Sequence, residues 1–120
     1  MNKEPDCIFC SIIAGDIPST EVATSEHAYA FRDLHPAAPS HIVVVPKRHH
    51  PNVNELSHTD PELTGHVVAL AAEAATKDGL DADGWRLLTN TGEHAGQTVQ
   101  HVHFHVLGGE RLGPLNAPRN

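Results

Sequence analysis

The sequence predicts an α+β domain: a five-stranded, mainly antiparallel sheet with one long and one short helix. Two observations point there. Five short β-rich runs are separated by turn residues, and one long segment with an apolar stripe lies between the third and fourth runs. A chain of 120 residues has room for a single domain with one core.

Taken in order, "CIFCSIIAG" (7 to 15) reads as a short amphipathic turn or helix ended by Gly15. "STEVATS" and "HAYAFRD" are β-like runs separated by Ser25 and Glu26, the pattern of a hairpin. "LHPAAPSH" is a loop, because Pro36 and Pro39 each remove a backbone donor and turn the preceding residue away from helix. "HIVVVPK" is a buried strand by its β-branched content.

The long helix has the clearest signals. Asp60 can cap it, Pro61 suits its first position, and Leu63, Val67, Leu70, Ala71 and Ala74 form one stripe before Gly79 ends it. "WRLLTN" is a fourth strand, "TGEHAGQT" a glycine-containing loop, and "VQHVHFHVL" (99 to 107) a fifth strand. No repeat or low-complexity segment breaks the domain, expected to span 1–120 with flexible ends at about 1–6 and 113–120.

Composition narrows the partners. Fifteen acidic residues against eight basic ones give a net charge of −7, which disfavours nucleic acid polymers while leaving a small phosphate ester possible. No run approaches the roughly 18 apolar residues of a membrane span, so no membrane partner is expected. The start "MNKEPDCIFC" lacks the basic-then-apolar pattern of a secretory signal, and the expected location is the cytoplasm. Cys7 and Cys10 are too few and too close to staple a secreted scaffold.

The strongest chemical signal is "QHVHFHVLGG" (100 to 109), where His101, His103 and His105 recur at every second residue. In a strand these rings share one face, and Val102, Phe104 and Val106 share the other. A solvated face on a chain with eleven histidines is the competing explanation. Against it, three adjacent imidazoles would repel if charged, and exposed strands more often mix Thr, Lys and Glu.

Two chemistries suit such a row: direct attack of a neutral imidazole on electrophilic phosphorus, or a catalytic zinc with an open water position. The preceding loop "NTGEHAGQT" favours a phosphate. Gly92 and Gly96 allow close backbone approach, and Asn90, Gln97 and Thr98 add side-chain donors. For Cys7-x-x-Cys10 three readings stand open: a redox couple, half a zinc site, or two buried thiols. Two thiolates leave a tetrahedral zinc short of two ligands, which would come from elsewhere in the fold.

His101-Val102-His103-Phe104-His105-Val106-Leu107 fits the His-φ-His-φ-His-φ-φ signature (φ apolar) of the histidine triad (HIT) superfamily. With "CIFCSIIAGDIPS" and "AFRDLHPAAPSHIVVVPKRH", nearly the whole chain resembles its branch of histidine triad nucleotide-binding proteins. The resemblance implies a HIT-like fold and a homodimer joined partly through the long helix. It also implies hydrolysis of purine nucleoside phosphoramidates and related nucleotidyl compounds through a covalent nucleotidyl-histidine.

By the same resemblance, His103 is the nucleophile, His105 and His41 support it, and the His101 carbonyl fixes its tautomer. Asn90, Gly96, Gln97, Thr98 and Val99 would line the phosphate site, and Asp33 would accept the ribose hydroxyls. Ile8, Phe9, Ile12, Phe31 and Leu34 would form the base slot. Bacterial members of the branch and the related galactose phosphate uridylyltransferases imply a structural zinc on Cys7, Cys10, His49 and His101, with His50 as the competing ligand. No catalytic cofactor is implied.

Two departures matter. Thr98 stands where better-known members carry serine, and "GPLNAPRN" replaces a C-terminal tryptophan and two prolines near the leaving group. The rival functions are hydrolysis or phosphorolysis of dinucleoside polyphosphates, and a non-catalytic purine nucleotide-binding or interaction module.

Overall fold

The computed structural model describes residue 4 and residues 6–116, and the outer parts of the expected flexible ends lie outside them. Elements follow the order α1 (Ile8–Ile13), β1 (Glu21–Thr24), β2 (Ala28–Arg32), β3 (Ser40–Pro46), α2 (Val53–Thr59), α3 (Pro61–Lys77), β4 (Trp85–Thr89) and β5 (Phe104–Gly108). The strands form one sheet in the order β1-β2-β3-β5-β4, and every neighbouring pair is antiparallel.

Local chemistry explains the boundaries. The β1–β2 hairpin closes through Ser25, whose amide donates to the Ala28 carbonyl at 2.9 Å while its hydroxyl accepts from the Ala28 amide at 3.1 Å. Asp60 caps α3 by accepting from the Leu63 amide at 3.0 Å, and Pro61 opens the helix where its missing N–H costs nothing. Gly79, at φ 72°, turns the chain out of α3.

The main core lies between α3 and one face of the sheet. Leu63, Val67, Leu70, Ala71, Ala74 and Ala75 meet Ala23, Ala28, Ala30, Ile42, Val44, Val102, Phe104 and Val106. The opposite face carries a smaller cluster in which Phe31, Val43 and Val45 pack with Phe9, Ile12, Ile13 and Tyr29. Every residue of β3 is buried because this central strand is covered on both sides.

Two expectations need correction. Among the described residues there are two short α-helices, not one: α2 lies in a stretch given no element by the sequence patterns, and Asn52 accepts from the Glu55 amide at 3.0 Å in the manner of an N-cap. The fifth strand begins at Phe104, not at residue 99. His101 and His103 precede the ladder: the Val102 amide donates to the His50 carbonyl at 2.7 Å, and β4 has already ended at Thr89. The alternation nevertheless persists through this extended stretch, sending Val102, Phe104 and Val106 into the main core.

Candidate functional site

Strand register assembles the site on the α1 face of the sheet. Phe31 pairs with Val43, Val43 with His105, and His105 with Leu88. His41, two residues before Val43, shares that face. The Asp33 amide donates to the His41 carbonyl at 3.0 Å, prolonging the β2–β3 ladder by one step. Asp33, His41 and His105 thereby meet: His41 Nε2 lies 2.8 Å from His105 Nδ1 and 3.5 Å from Asp33 Oδ2.

Main-chain groups fix the tautomers, since a carbonyl can only accept and an amide only donate. His103 Nδ1 lies 2.8 Å from the His101 carbonyl, so it carries the proton and Nε2 keeps its lone pair. The Ala37 amide donates to His41 Nδ1 at 3.0 Å, which places the His41 proton on Nε2. His41 Nε2–H then donates to His105 Nδ1. A neutral His105 therefore holds its own proton on Nε2.

Burial keeps these rings neutral. Desolvation lowers the affinities of His41 and His103 for a second proton, and Asp33 opposes the shift only in part. His105 is pushed down to about 4, first by burial and then by the neighbouring His103 and His41. His103 is 7% exposed and packs edge-on against Phe9, with ring centroids 4.9 Å apart. Neutral imidazole with an unprotonated Nε2 is the form that can attack an electrophile.

The remaining residues of the predicted site fall into distinct environments. Phe9 meets Phe31 edge-on at 5.8 Å, Phe31 is buried, and Ile12 packs beside them. Ile8 and Leu34 are exposed, Leu34 to 80%. Asp33 Oδ1 accepts from the His35 amide at 2.8 Å. Ile8, Thr98 and Val99 line an open cleft of 460 Å³ together with Cys7 and His49, whereas Asn90 and Gly96 lie outside it.

Gln97 differs from its reading as a phosphate donor. Its amide nitrogen donates to the carbonyls of Pro51 at 2.7 Å and Val99 at 3.0 Å, and its oxygen accepts from the Gly92 amide at 3.0 Å. Both side-chain hydrogens are thus engaged, one at the loop's own end and one on Pro51, which ties the loop to the segment before α2. Gly92 and Gly96, at φ 87° and 83°, give that loop a path that side chains resist.

A second cluster adjoins the first through His101. One ligand atom from each of Cys7, Cys10, His49 and His101 lies within 4.8 Å of the others, an arrangement that could hold a metal ion. Fully buried His101 donates from Nε2 to the Pro46 carbonyl at 3.0 Å, which leaves Nδ1 unprotonated toward Cys7 Sγ at 3.3 Å and Cys10 Sγ at 3.5 Å. Burial lowers the His101 pKa to about 4 and raises that of Cys10. His50 stands apart from these four, with Nδ1 at 2.6 Å from Glu55 Oε1.

The sequence reading missed three contributors: Ala37 and Pro46 act through their main chain, and Thr89 donates to the His103 carbonyl at 2.7 Å. Main-chain partners leave no residue-type signal. A hydroxyl closing the strand before the loop was the one visible hint for Thr89.

The model of the HIT domain matches residues 14–112. The chain is 42% identical over 112 residues to the purine nucleoside phosphoramidase of Escherichia coli K12, covering 93% of this chain and 94% of that one. It is similar to the solved histidine triad protein of Clostridium difficile (38% identity, TM-score 0.90, 97% and 100% covered). It is also similar to the HIT family hydrolase of Clostridium thermocellum (40% identity, TM-score 0.88, 92% and 96% covered). A paired row of tautomer-fixed imidazoles on a sheet of this topology, matched over nearly its whole length, places the chain in the histidine triad family.

Proposed function

We propose that this chain hydrolyses purine nucleoside phosphoramidates through a covalent nucleotidyl-histidine, with His103 Nε2 as the attacking atom. The observation that carries the reading is the 2.8 Å hydrogen bond from His103 Nδ1–H to the His101 carbonyl, which keeps Nε2 unprotonated. The 42% identity to a purine nucleoside phosphoramidase supplies the substrate class.

In the first step the Nε2 lone pair forms a bond to phosphorus as the phosphorus–nitrogen bond of the substrate breaks. The departing nitrogen accepts a hydrogen bond from His105 Nε2–H and leaves as the amine with a proton taken up from solvent, while His105 stays neutral with its other nitrogen accepting from His41. The nucleotidyl-imidazole is cationic, so its Nδ1–H bond to the His101 carbonyl becomes charge-assisted and strengthens as the transition state forms. In the second step water attacks phosphorus as the bond to His103 Nε2 breaks, the water's proton passes to solvent, and the nucleoside monophosphate leaves with His103 restored.

Asp33, one ladder step beyond β2, would accept the ribose hydroxyls, and Ile8, Phe9, Ile12, Phe31 and Leu34 would cover the base. Asn90, Gly96, Thr98 and Val99 would face the phosphate, with Gln97 holding their loop. Structural zinc would sit on Cys7, Cys10, His49 and His101. Zinc bonds of about 2.3 Å to sulfur and 2.0 Å to nitrogen at tetrahedral angles separate the two donors by about 3.5 Å. Three of the four sulfur–nitrogen distances are 3.3, 3.4 and 3.5 Å. Such an ion would tie α1 to the approach of β5 and leave the chemistry to the imidazoles.

A homodimer would use the outward face of α3, where Val68 is exposed beside Gly65, Ala69 and Ala72, and the free edge of β4. The unpaired thiols of Cys7 and Cys10 suit a reducing cytoplasm. No helix among the described residues is long and apolar enough to cross a membrane.

Mass spectrometry of acid-quenched enzyme with an adenosine phosphoramidate tests the mechanism. An adenylate on the peptide containing His103 is expected, and His103→Ala should bind AMP yet lose at least about a thousandfold in turnover. Unchanged turnover in that variant would refute the assignment.

A further inference from the structure

We infer that Thr89 is a positioning residue for the nucleophile, holding the main chain of His103 through its side-chain hydroxyl; the inference rests on His103 being the attacking residue. Thr89 Oγ1 donates to the His103 carbonyl at 2.7 Å. That carbonyl belongs to the peptide group joining His103 to Phe104, the residue where β5 begins and the register partner of Thr89.

His103 stands just before the β5 ladder, so regular strand pairing does not hold it. Three bonds replace that pairing along the stretch. Val102 is tied to the His50 carbonyl at 2.7 Å, the His103 ring to the His101 carbonyl at 2.8 Å, and the His103 carbonyl to Thr89. The ring bond fixes a side-chain torsion and the Thr89 bond fixes the backbone torsion that follows. Together they aim Nε2. A backbone free to rock at residue 103 would swing the ring about its own tether, and small displacements of an attacking atom are costly in rate.

Thr89 is half-buried in β4, where a β-branched residue suits the strand whether or not it bears a hydroxyl. Thr89→Val therefore removes the donor while preserving shape and strand preference. The expected result is a roughly tenfold fall in kcat and in the rate of adenylate accumulation on His103, with KM and AMP affinity within about twofold of the parent. Thr89→Ser, which keeps the hydroxyl, should restore most of the rate.

Thr89→Ala deletes the same donor and gives the same comparison if the valine variant does not fold. Wild-type kcat in the valine or alanine variant would overturn the inference, as would a parallel loss of AMP affinity or a serine variant as slow as valine. His103→Ala assayed alongside separates the two levels. If it keeps turnover, the nucleophile assignment fails; if it is dead while Thr89→Val is fully active, only the role of Thr89 fails.

Discussion

At the scale of single residues, the site depends on which nitrogen of each imidazole holds the proton. His101 and His103 carry opposite tautomers two residues apart, because one donates from Nε2 to the Pro46 carbonyl and the other from Nδ1 to the His101 carbonyl. One ring is thereby suited to a metal and the next to an electrophile. His41 and His105 share one proton-bearing contact that fails if both are charged. Their folded pKa values lie below the ordinary 6.5, that of His105 near 4, so between those values the unfolded chain binds more protons. Their contribution to stability is full above pH 6.5 and is lost as pH falls toward 4. Urea midpoints measured from neutral pH to pH 5 should fall, and His105→Gln should flatten part of that slope. Gln97→Leu deletes three loop bonds and should cost about 1–3 kcal/mol, read in the same urea titration, with weaker AMP binding.

Among the elements, the helices show how local signals and packing divide the work. Asp60 caps α3 in the way its sequence position implied, and Asp60→Ala should lower stability by about 1 kcal/mol. The shorter α2 escaped the sequence reading because seven residues present barely two turns of periodicity after a proline. Its signature was nonetheless present, with Asn52 three residues before Glu55. Tertiary burial explains why it holds: Leu56 is fully buried against the main core. Leu56→Ala should cost about 2–5 kcal/mol by thermal or urea unfolding. β5 illustrates the reverse error. Alternation of apolar and polar residues correctly separated the faces but could not say where pairing starts, since an extended chain alternates whether or not a neighbouring strand reaches it.

For the whole molecule, distant segments are joined at two points. Arg32 on β2 makes a two-pronged pair with Asp78 at 2.8 and 2.5 Å, and the Ser40 hydroxyl donates to the same carboxylate, tying the sheet to the end of α3. Arg32 holds the Asp78 pKa below the usual carboxylate range, so this link persists into mild acid. At the second point, Cys7, Cys10, His49 and His101 draw together three stretches of chain. An ion held there at about a thousand times its dissociation constant would add about 4 kcal/mol. Chelation should therefore lower the thermal midpoint while the protein that stays folded keeps its turnover, as calorimetry and a parallel assay would show.

The sequence alone determined the five strand segments, the first short helix and the long one, the two faces of the fifth strand, and the identity of the triad and its glycine-containing loop. Those follow from periodicity, capping and motif spacing, all of which are local. Tertiary structure decided what the spacing could not. It chose His49 over His50 beside the cysteines, spent the Gln97 amide on the carbonyls of Pro51 and Val99, and brought Thr89 onto the His103 main chain. Each choice turns on a partner that folding brings into reach: Glu55 for His50, the Pro51 carbonyl for Gln97 and the His103 carbonyl for Thr89. A backbone carbonyl or amide carries no residue-type signature by which sequence could announce it.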